Sequence, residues 1–100
     1  MMPRIFYSAF LNDKKHITMK TTIEISNYPL NADYIPPIQD FIDRINAHAN
    51  IKVKVNATST HIVGEIDEVM PIIQQEIKTS FEKYGKMIFV MKVLNGALDI

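Results

Sequence analysis

A small set of side chains in this sequence could together hold a planar molecule without reacting with it: Glu24, Ser26, Asn27, Tyr28, Ser59, Thr60 and Glu65. Tyr28 stands between a β-type run and Pro29, so its ring falls at a strand end, where it could serve as an aromatic platform for a planar or cationic ligand. Glu24 and Glu65 could supply the opposite charge to a cation. The hydroxyls of Ser59 and Thr60 could hydrogen-bond a heterocycle. Each of these residues also has a plainer use. Tyr28 could be a packing residue at the domain edge, and the two acids could be solvated, Glu65 as part of a helix entry. Hydroxyls on a strand often just pair across it.

Catalytic and metal chemistry find no comparable support. His16, His48 and His61 are scattered, with no ligand pair at metal spacing. His61 and Glu65 are four apart, but on a strand and its exit rather than on one helix, so no metal site is expected. Ser59-Thr60-His61 lacks a Gly-x-Ser-x-Gly elbow. The three glycines, Gly64, Gly85 and Gly96, are too dispersed for a phosphate loop. With no paired acid and base and no activated nucleophile, no catalytic residues are expected, and the chain reads as a non-enzyme. Asn56-Ala57-Thr58 is formally a glycosylation sequon, without meaning in a cytoplasmic protein.

Composition narrows the class further. One hundred residues accommodate one core. The formal net charge of +0 argues against nucleic acid, which needs a basic surplus, and mildly favours self-association. The absence of cysteine excludes disulfides, thiolate catalysis and cysteine-based zinc sites, and fits a reducing compartment. The apolar stretch near the N-terminus is too short and broken for a membrane span and lacks the pattern of a signal peptide, so a cytoplasmic location is expected. Met19-Lys20 directly precedes the first strand. Residues 1–18 then read as an N-terminal extension, left by a translation start at Met19, or as a loosely ordered arm, with the domain proper over 19–100.

The elements that must position the site follow from periodicity. Thr21 to Tyr28 alternates, with Ile23 and Ile25 inward and Thr22, Glu24 and Ser26 outward, until Pro29 ends the ladder. Asp33 is placed to cap a helix whose stripe is Ile35, Ile38, Ile42, Ile45 and Ala49, flanked by Phe41 and ending near Asn50. Ile51 to Asn56 alternates with Val53 and Val55 inward. After an Ala57-Thr58 turn, Ser59 to Gly64 forms a third strand in which either Ile62 or Val63 could point inward. Gly64 would permit a sharp strand-to-helix turn and Asp67 would cap a second helix with the stripe Met70, Ile73, Ile77 and Phe81, stopped by Gly85. Lys86 to Leu94 is apolar on both sides, so both its faces should be covered. The order β-α-β-β-α-β predicts an α+β, ferredoxin-like fold: a four-stranded antiparallel sheet with two helices on one face. The other face is open and partly apolar, which favours a homodimer or homotetramer packed through it.

Tyr28-Pro29-Leu30, Asp33-Tyr34-Ile35, Ser59-Thr60 and Gly64-Glu65-Ile66-Asp67-Glu68-Val69-Met70, in that order and spacing, resemble the YkoF-like thiamin-binding family and its single-domain thiamine-binding relatives. The resemblance spans about Thr21 to Val93. It implies a ferredoxin-like fold, non-catalytic binding of thiamin or its hydroxymethylpyrimidine moiety, a role in thiamin or pyrimidine salvage or transport, and sheet-to-sheet pairing of two units. Thiamin would be a ligand and not a cofactor; no cofactor is expected. Tyr28 with Pro29 matches the family's aromatic-proline pair, Ser59 and Thr60 its Ser-Thr pair, and Gly64 its turn glycine. Glu24, Ser26 and Asn27 join the candidate site on physical grounds, as residues of the open face. The competing expectation is a structural or regulatory homo-oligomeric module with no thiamin ligand.

Overall fold

The alternation that begins at Thr21 makes a strand with two distinct faces, and the rest of the chain is organised around it. A computed structural model describes residues 18–100, so the extension expected over 1–18 falls outside the described residues except for Thr18. The elements run β1 (Lys20–Pro29), α1 (Ile35–Asn46), β2 (Lys52–Val55), β3 (Thr60–Glu65), α2 (Ile66–Tyr84) and β4 (Met87–Asn95). The four strands lie in the order β2-β3-β1-β4, every neighbouring pair antiparallel. This is the ferredoxin-like α+β fold.

Register assigns each residue a face. Ile23 lies opposite Ile62 and Val93, and Ile25 opposite Thr60 and Met91. Ile62 in turn faces Val53. These side chains point toward the helices, where Ile23, Ile25 and Ile62 form a buried core with Phe41 and Ile45 of α1 and Val69 and Ile73 of α2. The ambiguity in β3 is thereby resolved: Ile62 is inward. Val63 faces the open side opposite Thr22 and Lys52, yet is also buried.

Several local expectations are corrected. Tyr34, not Asp33, precedes α1, without a side-chain cap; Asp33 instead donates its N–H to the Asn31 side chain. Pro36 and Pro37 occupy the first turn, where a missing N–H costs nothing. The helix ends at Asn46, short of Asn50, and its buried residues are Pro37, Phe41 and Ile45, while Ile35 is exposed. In α2 the entry residue is Glu65, with Asp67 and Glu68 in the first turn, where acids favour the helix dipole. Its buried face is Val69, Ile73, Glu76 and Ser80; of the expected stripe Ile73 is in the core, Met70 and Ile77 pack against it partly buried, and Phe81 is exposed.

Gly64 is extended strand rather than a turn. A Cβ there would meet the buried Val69 Cγ2 at 3.0 Å and Ile51 Cγ2 at 3.4 Å, so the glycine lets α2 approach β3 closely. Gly85, at φ 80°, ends α2 and donates its N–H to Phe81 O. β4 is an edge strand, and the expected cover on both its faces is absent among the described residues. Beyond Met87 and Phe89 the helices no longer reach it, and Met91 and Val93 on one side and Ile88, Val90 and Leu94 on the other are exposed.

The polar residues in the α2 stripe have a reason. Glu76 and Ser80 receive Arg44 from α1. Its Nη1 donates to Glu76 Oε1 at 2.5 Å and to Glu76 O at 2.9 Å, and its Nη2 to Ser80 Oγ at 2.5 Å. His48 Nε2 lies 2.8 Å from Glu76 Oε2. Arg44 Nε also donates to Asp40, which Lys83 of α2 reaches at 3.1 Å. Burial works to raise the Glu76 carboxyl, but the hydrogen bonds from His48 and Arg44 outweigh it and hold the group below its ordinary value of 4.5. Asp40 is lowered in the same way, burial being outweighed by Lys83 and Arg44. With every nitrogen of the Arg44 guanidinium engaged in part-buried hydrogen bonds, this network is the chief polar link between the helices.

Removing Glu76 takes away the carboxylate that Arg44 and His48 share and leaves Asp40 as the remaining acid on Arg44. Glu76→Ala should destabilise the fold by about 2–4 kcal/mol, read by chemical denaturation. Since the folded-state value of Glu76 is depressed, its contribution is complete above its unfolded value near 4.5 and is lost as pH falls through the lower folded value. Melting temperature should therefore fall on acidification of the wild-type chain, and the fall should be shallower in Glu76→Gln.

Candidate functional site

At the Pro29 end of β1 the helices and sheet do not close on one another. A cavity of about 370 Å³ lies there, bounded by the last residues of β1, the first half of α1 and the loop joining β2 to β3. Its apolar wall is Ile25, Pro29, Ile38, Phe41 and Ile42, so its floor is the rim of the core itself. Tyr28 and Tyr34 stand at its edge with exposed rings. The polar lining is Ser26, Asn27, Asn56, Thr58, Ser59 and Thr60. This volume falls in the range of small-molecule sites, and an apolar wall with a few placed polar groups is their usual composition.

Of the residues expected at a site, the cavity brings together Ser26, Asn27, Tyr28, Ser59 and Thr60. Pairing of Val55 with Thr60 leaves residues 56–59 as a loop, closed by Asn56 N–H donating to Ser59 O at 2.8 Å. Ser59 thus stands outside the strand, at the rim, while Thr60 is the buried first residue of β3. Ser26 Oγ donates to Thr58 O at 3.0 Å and fastens the same loop to β1.

The two carboxylates lie elsewhere. Glu65 is at the far end of β3, opposite Lys20, whose ammonium is 2.9 Å away. Glu24 is on the open face, one hydrogen bond beyond the cavity rim: Ser59 Oγ donates to its Oε2 at 3.2 Å. Lys92 and His61 each approach it at 3.4 Å. The hydrogen bond from Lys92, aided by Ser59 and by the proximity of His61, holds the Glu24 carboxyl below its ordinary value against the opposing effect of burial. None of the cavity-lining residues is acidic, basic or a histidine.

Asn27 was grouped with the open face on sequence grounds, but register puts it on the other one. It lies opposite Phe89, whose ring meets Phe41 of α1 at a centroid distance of 5.0 Å. Both Nδ2 and Oδ1 of Asn27 are buried and, among the described residues, without a hydrogen-bond partner. Leaving such a group unpaired costs about 1–3 kcal/mol. The lining residues Asn56, Ile38, Phe41 and Ile42 had been assigned only to strand or helix; their membership in a site depends on where the chain leaves a gap. Among the described residues no group of acids and histidines is arranged to hold a metal ion. No helix among them is long and apolar enough to cross a membrane.

Comparison with known proteins gives a family and a shared fold. A family model described as thiamine-binding protein matches residues 23–95. A Thermotoga maritima protein, described as a candidate for thiamine biosynthesis or salvage, superposes with a TM-score of 0.73 at 19% identity, over 81% of this chain and 90% of its own. A Streptococcus pneumoniae protein does so with a TM-score of 0.73 at 22% identity, over 80% and 90%. A hypothetical Methanocaldococcus jannascii protein gives 0.65 at 22% identity, over 74% and 77%. No curated protein matches the chain.

The open-face cluster yields a direct electrostatic test. Replacing Lys92 with alanine should let the Glu24 carboxyl titrate at a higher pH, closer to 4.5. Side-chain carboxyl NMR across the acid range reads the change.

Proposed function

The chain belongs to the thiamine-binding protein family, and on that premise we propose that it binds thiamin or its hydroxymethylpyrimidine moiety without catalysis, in salvage or transport within the cytoplasm. The observation that carries this reading is the cavity at the end of β1: sized for a small molecule, walled by Ile38, Phe41 and Ile42, edged by Tyr28, and furnished with hydroxyl and amide groups but no acidic, basic or histidine side chain. An uncharged heteroaromatic ring suits such a space, since a buried charge would find no counter-charge there. The pyrimidine is therefore the part of thiamin placed inside. The cationic thiazolium is directed to the mouth, where the exposed ring of Tyr28 offers a π-face and Glu24 lies beyond Ser59. The description of the family as thiamine-binding supports binding rather than turnover.

A second reading, compatible with the first, is favoured by the open sheet face. Tyr28, Ile88, Val90 and Leu94 share that face and are all exposed, Val90 by 52% and Ile88 by 49%. Tyr28, Ile88 and Val90 are neighbours on it, with Leu94 set apart by Lys92, and an exposed apolar strip of this kind calls for a partner surface. A second copy packed sheet to sheet, as a homodimer or within a homotetramer, would cover it and serve equally a structural or regulatory module.

Isothermal titration with thiamin and, separately, with hydroxymethylpyrimidine should give saturable heat for at least one, weakened by Tyr28→Ala. The absence of heat from both at high micromolar ligand would overturn the binding reading and leave the fold intact. Light scattering after size exclusion should give a mass of two or four chains, reduced toward one in Val90→Lys. A wild-type monomer at the same concentration would overturn the oligomer.

A further inference from the structure

We infer that Asn27 selects the ligand, by reading a ring edge that offers a hydrogen-bond acceptor beside a donor. The inference rests on the small-heterocycle reading of the cavity and adds to it the feature that the ligand must carry. Asn27 is part of the cavity wall, and its amide is flanked by apolar groups: Ile25 and Pro29 on its own strand face and Phe89 across the ladder. Neither amide atom has a partner.

Three other polar side chains around the cavity are already committed. Ser26 Oγ donates to Thr58 O, Ser59 Oγ donates to Glu24, and Asn56 Nδ2 lies 2.6 Å from His61 Nδ1. They hold the loop in place and have less to offer a ligand. Asn27 has its whole capacity free, an N–H donor and a carbonyl acceptor side by side. A leucine, with the same branching and number of side-chain heavy atoms, would fill an apolar wall without an unpaired amide. The amide's desolvation has occurred in the folded chain, so a ligand edge that meets it gains the hydrogen bonds without that opposing cost. Both amide atoms are buried in the structure, so reading a ligand requires rotation about the Cα–Cβ and Cβ–Cγ bonds of Asn27 to bring the amide to the cavity.

The edge that fits is a ring nitrogen next to an exocyclic amino group. Asn27 Nδ2–H donates to the ring nitrogen, and Oδ1 accepts from the amino group. An aminopyrimidine carries this edge, whereas a pyrimidine lacking the amino group leaves Oδ1 unpaired. Sites built around a buried polar group reject ligands that cannot satisfy it far more strongly than apolar pockets reject a size change.

The test uses the full chain and two probes, 4-amino-5-hydroxymethyl-2-methylpyrimidine and the same ring without its amino group, titrated into wild type and Asn27→Leu. Wild type should prefer the amino compound by about tenfold or more. Asn27→Leu should bind both alike, and without ligand should melt at or above the wild-type temperature, since it removes an unpaired amide. Equal binding of both probes by wild type would overturn the role of Asn27 while leaving the cavity a binding site. Retained preference in the variant would overturn it as well. So would a clear loss of melting temperature in Asn27→Leu, because the amide would then have an internal structural partner. If wild type binds neither probe nor thiamin, the reading of the cavity itself fails and this inference with it.

Discussion

The pairing of β1 on both edges constrains everything else in this chain. Antiparallel ladders to β3 and to β4 hold Lys20–Pro29 in one register along its whole length. A slip of one residue would exchange the faces, bringing Glu24 and Ser26 to the helices and Ile23 and Ile25 to solvent. Because that exchange is so unfavourable, the odd-numbered residues are committed inward. The same commitment carries Asn27 inward as well, one step past the last isoleucine, where the core gives way to the cavity. Its placement is a consequence of the alternation that buries Ile23 and Ile25, not of a local preference of asparagine.

The helices meet this sheet with unequal chemistry. Against the strands they present Phe41, Ile45, Val69 and Ile73. Between themselves, away from the sheet, they present Arg44 and Glu76. Apolar burial fixes how far each helix sits from the sheet, and the guanidinium fork, with donors to Glu76 and Ser80, fixes how the helices lie along each other.

The fold was legible in the sequence because its strands alternate and its helices are long, signals that survive small errors of boundary. The helix faces were less legible. In α2 the apolar positions Met70, Ile77 and Phe81 outweigh the polar Glu76 and Ser80 in any hydropathy reading, yet Glu76 and Ser80 are buried because Arg44 satisfies them. Gly64 had the sequence look of a turn residue, but what requires glycine is the nearness of Val69 and Ile51, a contact between distant elements. For the candidate site, Tyr28, Ser59 and Thr60 were found from local pattern, since each flanks a strand end. Asn27 was found but assigned to the wrong face, and Phe41, Ile38 and Asn56 were not connected with it, because a cavity is a property of how three segments fail to meet.

Why they fail to meet is itself physical. Ile23, Ile62, Val69 and Ile73 fill the centre of the layer with branched side chains. Toward the Pro29 end the supply changes. The loop over residues 56–59 is Asn-Ala-Thr-Ser, too small to fill the space, and it is held out at the end of the β2–β3 ladder by Ser26 and its own closing hydrogen bond. Residues 30–34 carry the chain from Pro29 to α1, with Leu30 N–H tied to Lys86 O at 3.2 Å on the side of β4. Tyr34 and Ile35 are exposed, so the start of the helix does not fold down over the strand end. Close packing is the default of a protein interior. A gap bounded by short polar side chains on one wall, by Phe41 and Ile42 on another and by the unpaired Asn27 amide is thus sustained by tethers on each side, and those tethers leave it free to receive a ring.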